Sequence, residues 1–303
     1  MVSVTDPVSF AIERTKRLLF RPFNLQRWFI IGFCAWLATL GEGGGFNFRT
    51  GRSYHGAGSV RDAIEQACTY VRTNLTWILP LAIALFILCV ALGVVMLWVS
   101  SRGKFMFLHC VALDKAEIAE PWDQFAREGN SLFRFRLVLG LVFAVPALSL
   151  FALIAFKVWR MIEGGAPTVR GIVVVAIAGL YFVALCIVTG VIMKLTTDFI
   201  VPIMFLRRNR WLEAWREFRG LFAVNVGNFV VYLLFQIVLG IAIGAIIVGV
   251  VLLTCCTAGC VMALPYIGAV LLLPVTTFKR SYSIHYLAQY GPDYSVFPLP
   301  PVN

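Results

Sequence analysis

The sequence predicts an all-α, polytopic helical membrane protein with six transmembrane helices and interfacial amphipathic helices. Three observations lead there. Hydrophobic residues fill 60% of the 303 positions and charged residues only 14%, against about 25% charged in a soluble domain, so polar side chains are too few to coat a water-facing globule. The charges stand in short clusters at the ends of apolar runs, and residues 220–278 hold none. Several of those runs reach the ~20 residues that a helix needs to cross ~30 Å of hydrocarbon. Residues 1–303 read as a single membrane domain.

Residues 7–22 come first. Ala11, Ile12, Thr15, Leu18 and Leu19 recur at helical spacing, while Arg14, Lys16, Arg17 and Arg21 occupy much of the remaining surface. This is a basic amphipathic helix suited to the interface, where it anchors the next helix or meets anionic headgroups of the lipid bilayer. The first span is expected over residues 23–41, long enough only if Arg27 snorkels. Further spans follow over 75–99, 137–159 and 171–193. The uncharged stretch 220–278 is too long for one crossing. It divides into 223–252 and 260–278, reversing at Thr254-Cys-Cys-Thr-Ala-Gly-Cys260 ahead of Pro265. Residues 279–303 form a tail.

Charge sets the orientation. With six crossings, 19 of the 26 Lys and Arg residues fall on one side and 7 on the other; without the first crossing the split is 14 against 12. Only the first split carries a positive-inside signal, which places both termini in the cytoplasm. The net charge of +11 is then an orientation signal. It is not a nucleic-acid footprint, which needs basic residues gathered in a groove or strip.

The inner ends of the even-numbered spans repeat one another, which suggests a three-fold repeat of helix hairpins. Each carries adjacent hydroxyls, Ser100-Ser101, Thr196-Thr197 and Thr276-Thr277, followed by about two turns of aromatic and aliphatic residues. Trp122 to Phe125 and Trp215 to Phe218 then precede the third and fifth spans. A helix running from Gly171 to Leu206 would be about 54 Å long, more than the ~30 Å of hydrocarbon. Phe199 to Leu206 must therefore project past the membrane while still apolar. A cytoplasmic collar is expected, with Trp211, Trp215 and Phe218 packing on Phe199 to Leu206, and Trp122 and Phe125 on Phe105 to Leu108. Asp198 falls at the boundary, four residues after Lys194, where an i,i+4 ion pair is the plain expectation and a proton or ion site the sharper one.

Asp198-Phe-Ile-Val-Pro202, a short polar turn and then Trp211-Leu-Glu-Ala-Trp215 leading into a span resemble a broad set of prokaryotic multi-pass membrane proteins. That set includes uncharacterised families and the membrane domain attached to some glycerophosphodiester phosphodiesterases. The likeness is best over residues 196–234. Arg14-Thr-Lys-Arg-Leu-Leu-Phe-Arg-Pro-Phe and Arg27-Trp-Phe-Ile-Ile-Gly-Phe look like one uncharacterised branch of the set. The resemblance implies a prokaryotic plasma or inner membrane. It implies no phosphodiesterase activity, because these residues hold no such catalytic segment.

Catalytic signatures are absent from the sequence. There is no His-Glu-x-x-His, no Gly-x-Ser-x-Gly and no phosphate-binding Gly-x-x-x-x-Gly-Lys loop. No cofactor or metal ligand set is expected. His109 and His285 hold matching repeat positions, but Phe205 holds the third, which favours packing over metal. Cys255, Cys256 and Cys260 leave two readings open, a bridge at the non-cytoplasmic surface or unbridged small packing residues. The polar positions worth locating are Ser100, Ser101, Lys194, Thr196, Thr197, Asp198, His109 and His285.

These readings point to a non-enzymatic membrane scaffold, a subunit with a membrane protein partner, or a lipid-interacting module. The alternative is a transporter or permease for a hydrophobic or amphiphilic solute. Reporters at Arg52 and Asn303 should lie on opposite sides of the membrane; the same side for both would overturn the six-span topology.

Overall fold

The computed structural model describes residues 2–40, 73–163, 169–254, 257–262 and 264–297, and every element in them is helical. The glycine-rich stretch after Leu40, the pair Cys255 and Cys256, and the last residues of the tail lie outside the described residues. Cys260 is an exposed free thiol.

Helix α1 (Asp6–Phe20) starts with Pro7 in its first turn and buries Pro7, Ala11, Thr15, Leu18 and Leu19, the apolar stripe that its periodicity predicts. That stripe packs on the last long helix, α12 (Leu273–Ala288), instead of lying on lipid alone. Asn24 caps α2 (Leu25–Thr39), its side chain accepting from the backbone N–H groups of Gln26 and Arg27 at 2.9 and 3.3 Å.

Among the described residues, four helices are long and apolar enough to cross a membrane. They belong to α3 (Leu75–Leu113), α5 (Ala126–Glu163), α6 (Val169–Leu195) with its continuation, and α9 (Val226–Leu253). Their most apolar stretches are almost wholly open to the surroundings, with Phe86 69% and Leu180 72% exposed. Leaving such side chains in water forgoes about 1.5–3 kcal/mol each, so hydrocarbon is the solvent that these surfaces fit.

The buried core sits elsewhere, at one end of the spans. It takes Phe105 to Leu108 from α3, Phe199 to Met204, Phe125, Phe218, Phe229, Tyr232, Tyr282 and Tyr286, with Ile31, Cys34 and Ala35 of α2. This is the expected collar. Phe218 of α8 (Trp211–Val224) stacks on Phe199 at 5.3 Å between ring centres. Phe125, just after α4 (Ala119–Gln124), stacks between Phe105 and Phe205 at 5.9 and 4.7 Å. The tryptophans are partly buried against the same core, and their ring contacts lie at its edge. Trp211 and Trp215 turn to Phe135 of α5 at 5.0 and 5.8 Å, and Trp122 meets Trp98 at 5.8 Å.

The first and sixth expected spans are not single long helices. Helix α2 has 15 residues, about 22 Å of rise, and lies antiparallel beside the C-terminal part of α3. Its Arg27 pairs with Asp114 at the end of α3, while its Ala38 carbonyl accepts from Ser100 Oγ at 3.0 Å. Residues 260–278 are divided among α10 (Thr257–Met262), α11 (Pro265–Leu271) and α12. Pro265 and Pro274 open α11 and α12, positions where a missing N–H costs a helix nothing.

Close approach of α2 to α3 depends on Gly103. A Cβ there would meet the Ala38 nitrogen and the Leu37 carbonyl carbon at 2.7 Å, and backbone cannot swing aside as a side chain can. Gly103→Ala should cost about 1–3 kcal/mol through overpacking and lower the melting temperature of the purified protein. Gly140→Ala, on the open face of α5 with nothing within 4 Å, should not. Equal melting temperatures for Gly103→Ala and the parent would mean that α2 is not seated against α3.

Candidate functional site

One residue without an N–H shapes the polar junction of the collar. After α6 the helix widens into a π turn, Thr196–Ile200, then resumes as α7 (Val201–Arg207). In an α-helix the Thr197 carbonyl would accept from Val201, but the Val201 N–H reaches back five residues to Thr196. The π alternative for Thr197 is residue 202, a proline with no N–H to give. The Thr197 carbonyl is left over, and the Arg280 guanidinium of α12 donates to it. Lys104 of α3 donates to the Thr197 hydroxyl. A single residue of one helix thus ties together two others.

The same turn directs Asp198 inward. Its side chain is 7% exposed and its Oδ2 meets Lys194 Nζ at 2.9 Å, the i,i+4 pair expected from the sequence. Tyr232 of α9 donates to that same oxygen at 2.9 Å, and Gln236 Nε2 donates to the Tyr232 hydroxyl at 2.9 Å. A carboxylate this far from water needs both charge and hydrogen-bond partners, and it has them.

The other hydroxyls complete the junction. Arg136, buried on α5, donates to Ser100 Oγ at 3.1 Å and Ser101 Oγ at 3.3 Å, and Ser100 relays to the end of α2. Ser101 and Thr196 bond the carbonyls of Leu97 and Ile192, one turn back, at 2.7 Å each. Lys104, Lys194, Thr197, Asp198, Thr276, Lys279 and Arg280 line one pocket of about 170 Å³, whose remaining wall is Ala38, Thr39 and Phe107. Among the described residues that line it, four are cations and one is a carboxylate. Burial, followed by repulsion from Lys194, pushes the Lys279 ammonium below its usual range, with Asp198 opposing.

The two histidines stand apart from this pocket and from each other. His109 is buried against Phe125 and Phe205 at 6.0 and 6.5 Å. His285 stacks on Phe297 at 4.4 Å and nears Phe10 at 5.6 Å. Burial first, then Arg14, pushes His285 down to about 4, so it is neutral near pH 7. Among the described residues no three His, Cys, Asp or Glu side chains are grouped to hold a metal ion.

Of the eight polar positions singled out in the sequence, Lys194, Thr197 and Asp198 meet in the pocket. Ser100, Ser101 and Thr196 support it from adjoining turns. Sequence reasoning missed Lys104, Lys279, Arg280, Arg136 and Tyr232. One signal was present: Lys104 and Arg280 each stand four residues after the first hydroxyl of their repeat, and both converge on Thr197.

Fold and junction together define a helical membrane protein whose buried polar chemistry lies in a collar at one end of its spans. Residues 2–273 match a family of unknown function, DUF7544, and the chain belongs to that family. No curated protein and no solved structure matches it. An uncharacterised family agrees with the resemblance over residues 196–234, while nothing in these comparisons links the chain to glycerophosphodiester phosphodiesterases.

Tyr232→Phe removes the hydroxyl that serves Asp198 while keeping the ring packing. Losing a hydrogen bond to a charged group costs about 1.5–3 kcal/mol, so the melting temperature should fall clearly. Gln236→Leu, one bond further out, should lower it less. An unchanged value for Tyr232→Phe would show that Lys194 alone satisfies the carboxylate.

Proposed function

We propose that this chain is a non-enzymatic membrane module, acting as a lipid-interacting scaffold or as a subunit for a membrane partner. One observation carries the reading: the buried polar groups gather in the collar, whereas the four long helices present apolar surface to lipid along most of their length. A permease needs a polar path between its spans, reaching toward the midplane. The polar pocket instead lies where the exposed stretches of α3 and α6 give way to the buried collar.

In this reading the collar is cytoplasmic, in a prokaryotic plasma or inner membrane. Support comes from charge, because the segments holding 19 of the 26 Lys and Arg residues are those that build the collar. Both termini share that side. Ser3 and Gln289 exchange two hydrogen bonds, at 2.7 and 2.8 Å. The count of six crossings adds two passages, over residues 23–41 and 260–278, to the four long helices, and the 19-to-7 partition of Lys and Arg supports it. The three hydroxyl pairs, each at the inner end of a passage, support the repeat.

Two native thiols test the module against the permease. Cys89 on α3 and Cys186 on α6 are exposed within the lipid-facing stretches. In intact membranes an apolar maleimide should label both and a charged, impermeant one neither, as read by peptide mass spectrometry. Charged labelling at either would reveal a water path and favour the permease.

A further inference from the structure

We infer that the pocket between α3, the π turn and α12 binds the phosphate of an anionic lipid headgroup, with Lys279 and Lys194 as its cationic grip. The inference rests on the membrane-module reading and names the chemistry of its ligand. Charge is the first ground. Lys104, Lys194, Lys279 and Arg280 line the pocket; of these, Lys194 and Lys279 lie beside its one described carboxylate, Asp198, which leaves one ammonium to meet an anion. Their roles differ. Lys104 and Arg280 both reach Thr197, and Lys194 reaches Asp198. Among the described residues Lys279 makes no ion pair, although it is half-buried and near Lys194. An ammonium held out of water beside a second ammonium is costly unless an anion joins it.

The second ground is the wall. Ala38 and Phe107 give the pocket an apolar side, and it opens at the level where lipid-facing surface meets the collar. A group that is anionic at one end and joined to hydrocarbon at the other satisfies both halves. The size, about 170 Å³, suits a headgroup, leaving acyl chains against the exposed faces of the spans. This is a different place from the basic face of α1, where Lys16 and Arg17 line an open groove on the surface and would attract any anionic membrane.

The test uses the full chain purified in detergent, titrated with short-chain phosphatidylglycerol, short-chain phosphatidylcholine or inorganic phosphate. Phosphatidylglycerol should bind more tightly than phosphatidylcholine. Lys279→Gln should weaken phosphatidylglycerol about tenfold, the loss of one charge-assisted contact. Lys279→Arg should retain most of the affinity and Lys115→Gln, at an exposed position outside both basic sites, all of it. In the unsubstituted chain, phosphatidylglycerol should shield Lys279 from an amine-reactive reagent more than it shields Lys16, a readout that needs no variant to fold. Phosphate binding that depends on Lys279, with neither lipid bound, would assign the pocket to free phosphate and keep the chemistry. No shielding of Lys279 by any of the three probes, or losses as large for Lys115→Gln as for Lys279→Gln, would overturn the site. Charged labelling of Cys89 or Cys186 would overturn the module reading instead, whatever the lipid titration shows.

Discussion

Pro202 imposes the constraint on which the junction depends. A proline inside a helix withdraws a donor and crowds the carbonyl four residues back. Here the chain answers with one widened turn, Thr196–Ile200. Widening leaves the Thr197 carbonyl without a partner of its own helix, and Arg280 fills the vacancy from α12. It also sets Asp198 toward α9, where Tyr232 waits at 2.9 Å. Three helices are thus joined at the collar by groups that an unbroken α-helix would have kept for itself. Such π turns are often found at functional sites, and this one borders the cationic pocket.

The molecule is built for two solvents. Along the spans, apolar side chains face outward and little is buried, because hydrocarbon outside is no worse a neighbour than hydrocarbon inside. At the collar the surroundings are polar, so the same residue types must pack on one another. Phe199 is fully buried and touches the rings of Phe218, Phe229, Tyr232 and Tyr286. Backbone charge matching continues the pattern at helix ends. Arg14 donates to the carbonyls of Val111 and Ala112 at 2.9 Å each, capping α3 where its dipole is negative.

Buried charge in the collar organises more than it stabilises. Removing an ion pair from water costs several kcal/mol that attraction only partly returns. Arg136 and Asp198 are both nearly buried, at 3% and 5% exposed, and each is hydrogen-bonded to groups of other helices. Their value lies in register: Arg136 fixes α5 against Ser100 and Ser101, and Asp198 fixes the π turn against α9.

Local pattern made much of this legible. The apolar stripe of α1, the Lys194–Asp198 pair and the aromatic covering of Phe199 follow from spacing along one helix or between consecutive ones. So do the long lipid-facing runs, because hydropathy and length act within a single segment. The lengths of α2 and of the divided return near Pro265 were less so. Apolar content of residues 23–41 is the same whether they meet lipid or protein, and only Gly103, which admits the α2 backbone, distinguishes the two. The pocket belongs to the tertiary structure outright. Lys104 and Thr197 stand 93 residues apart, and Thr197 and Arg280 stand 83 apart. The sequence alone determined that these side chains follow the hydroxyl pairs at the ends of apolar runs. Which ends meet is set by helix packing, through shape and close backbone approach, and a hydropathy pattern carries neither.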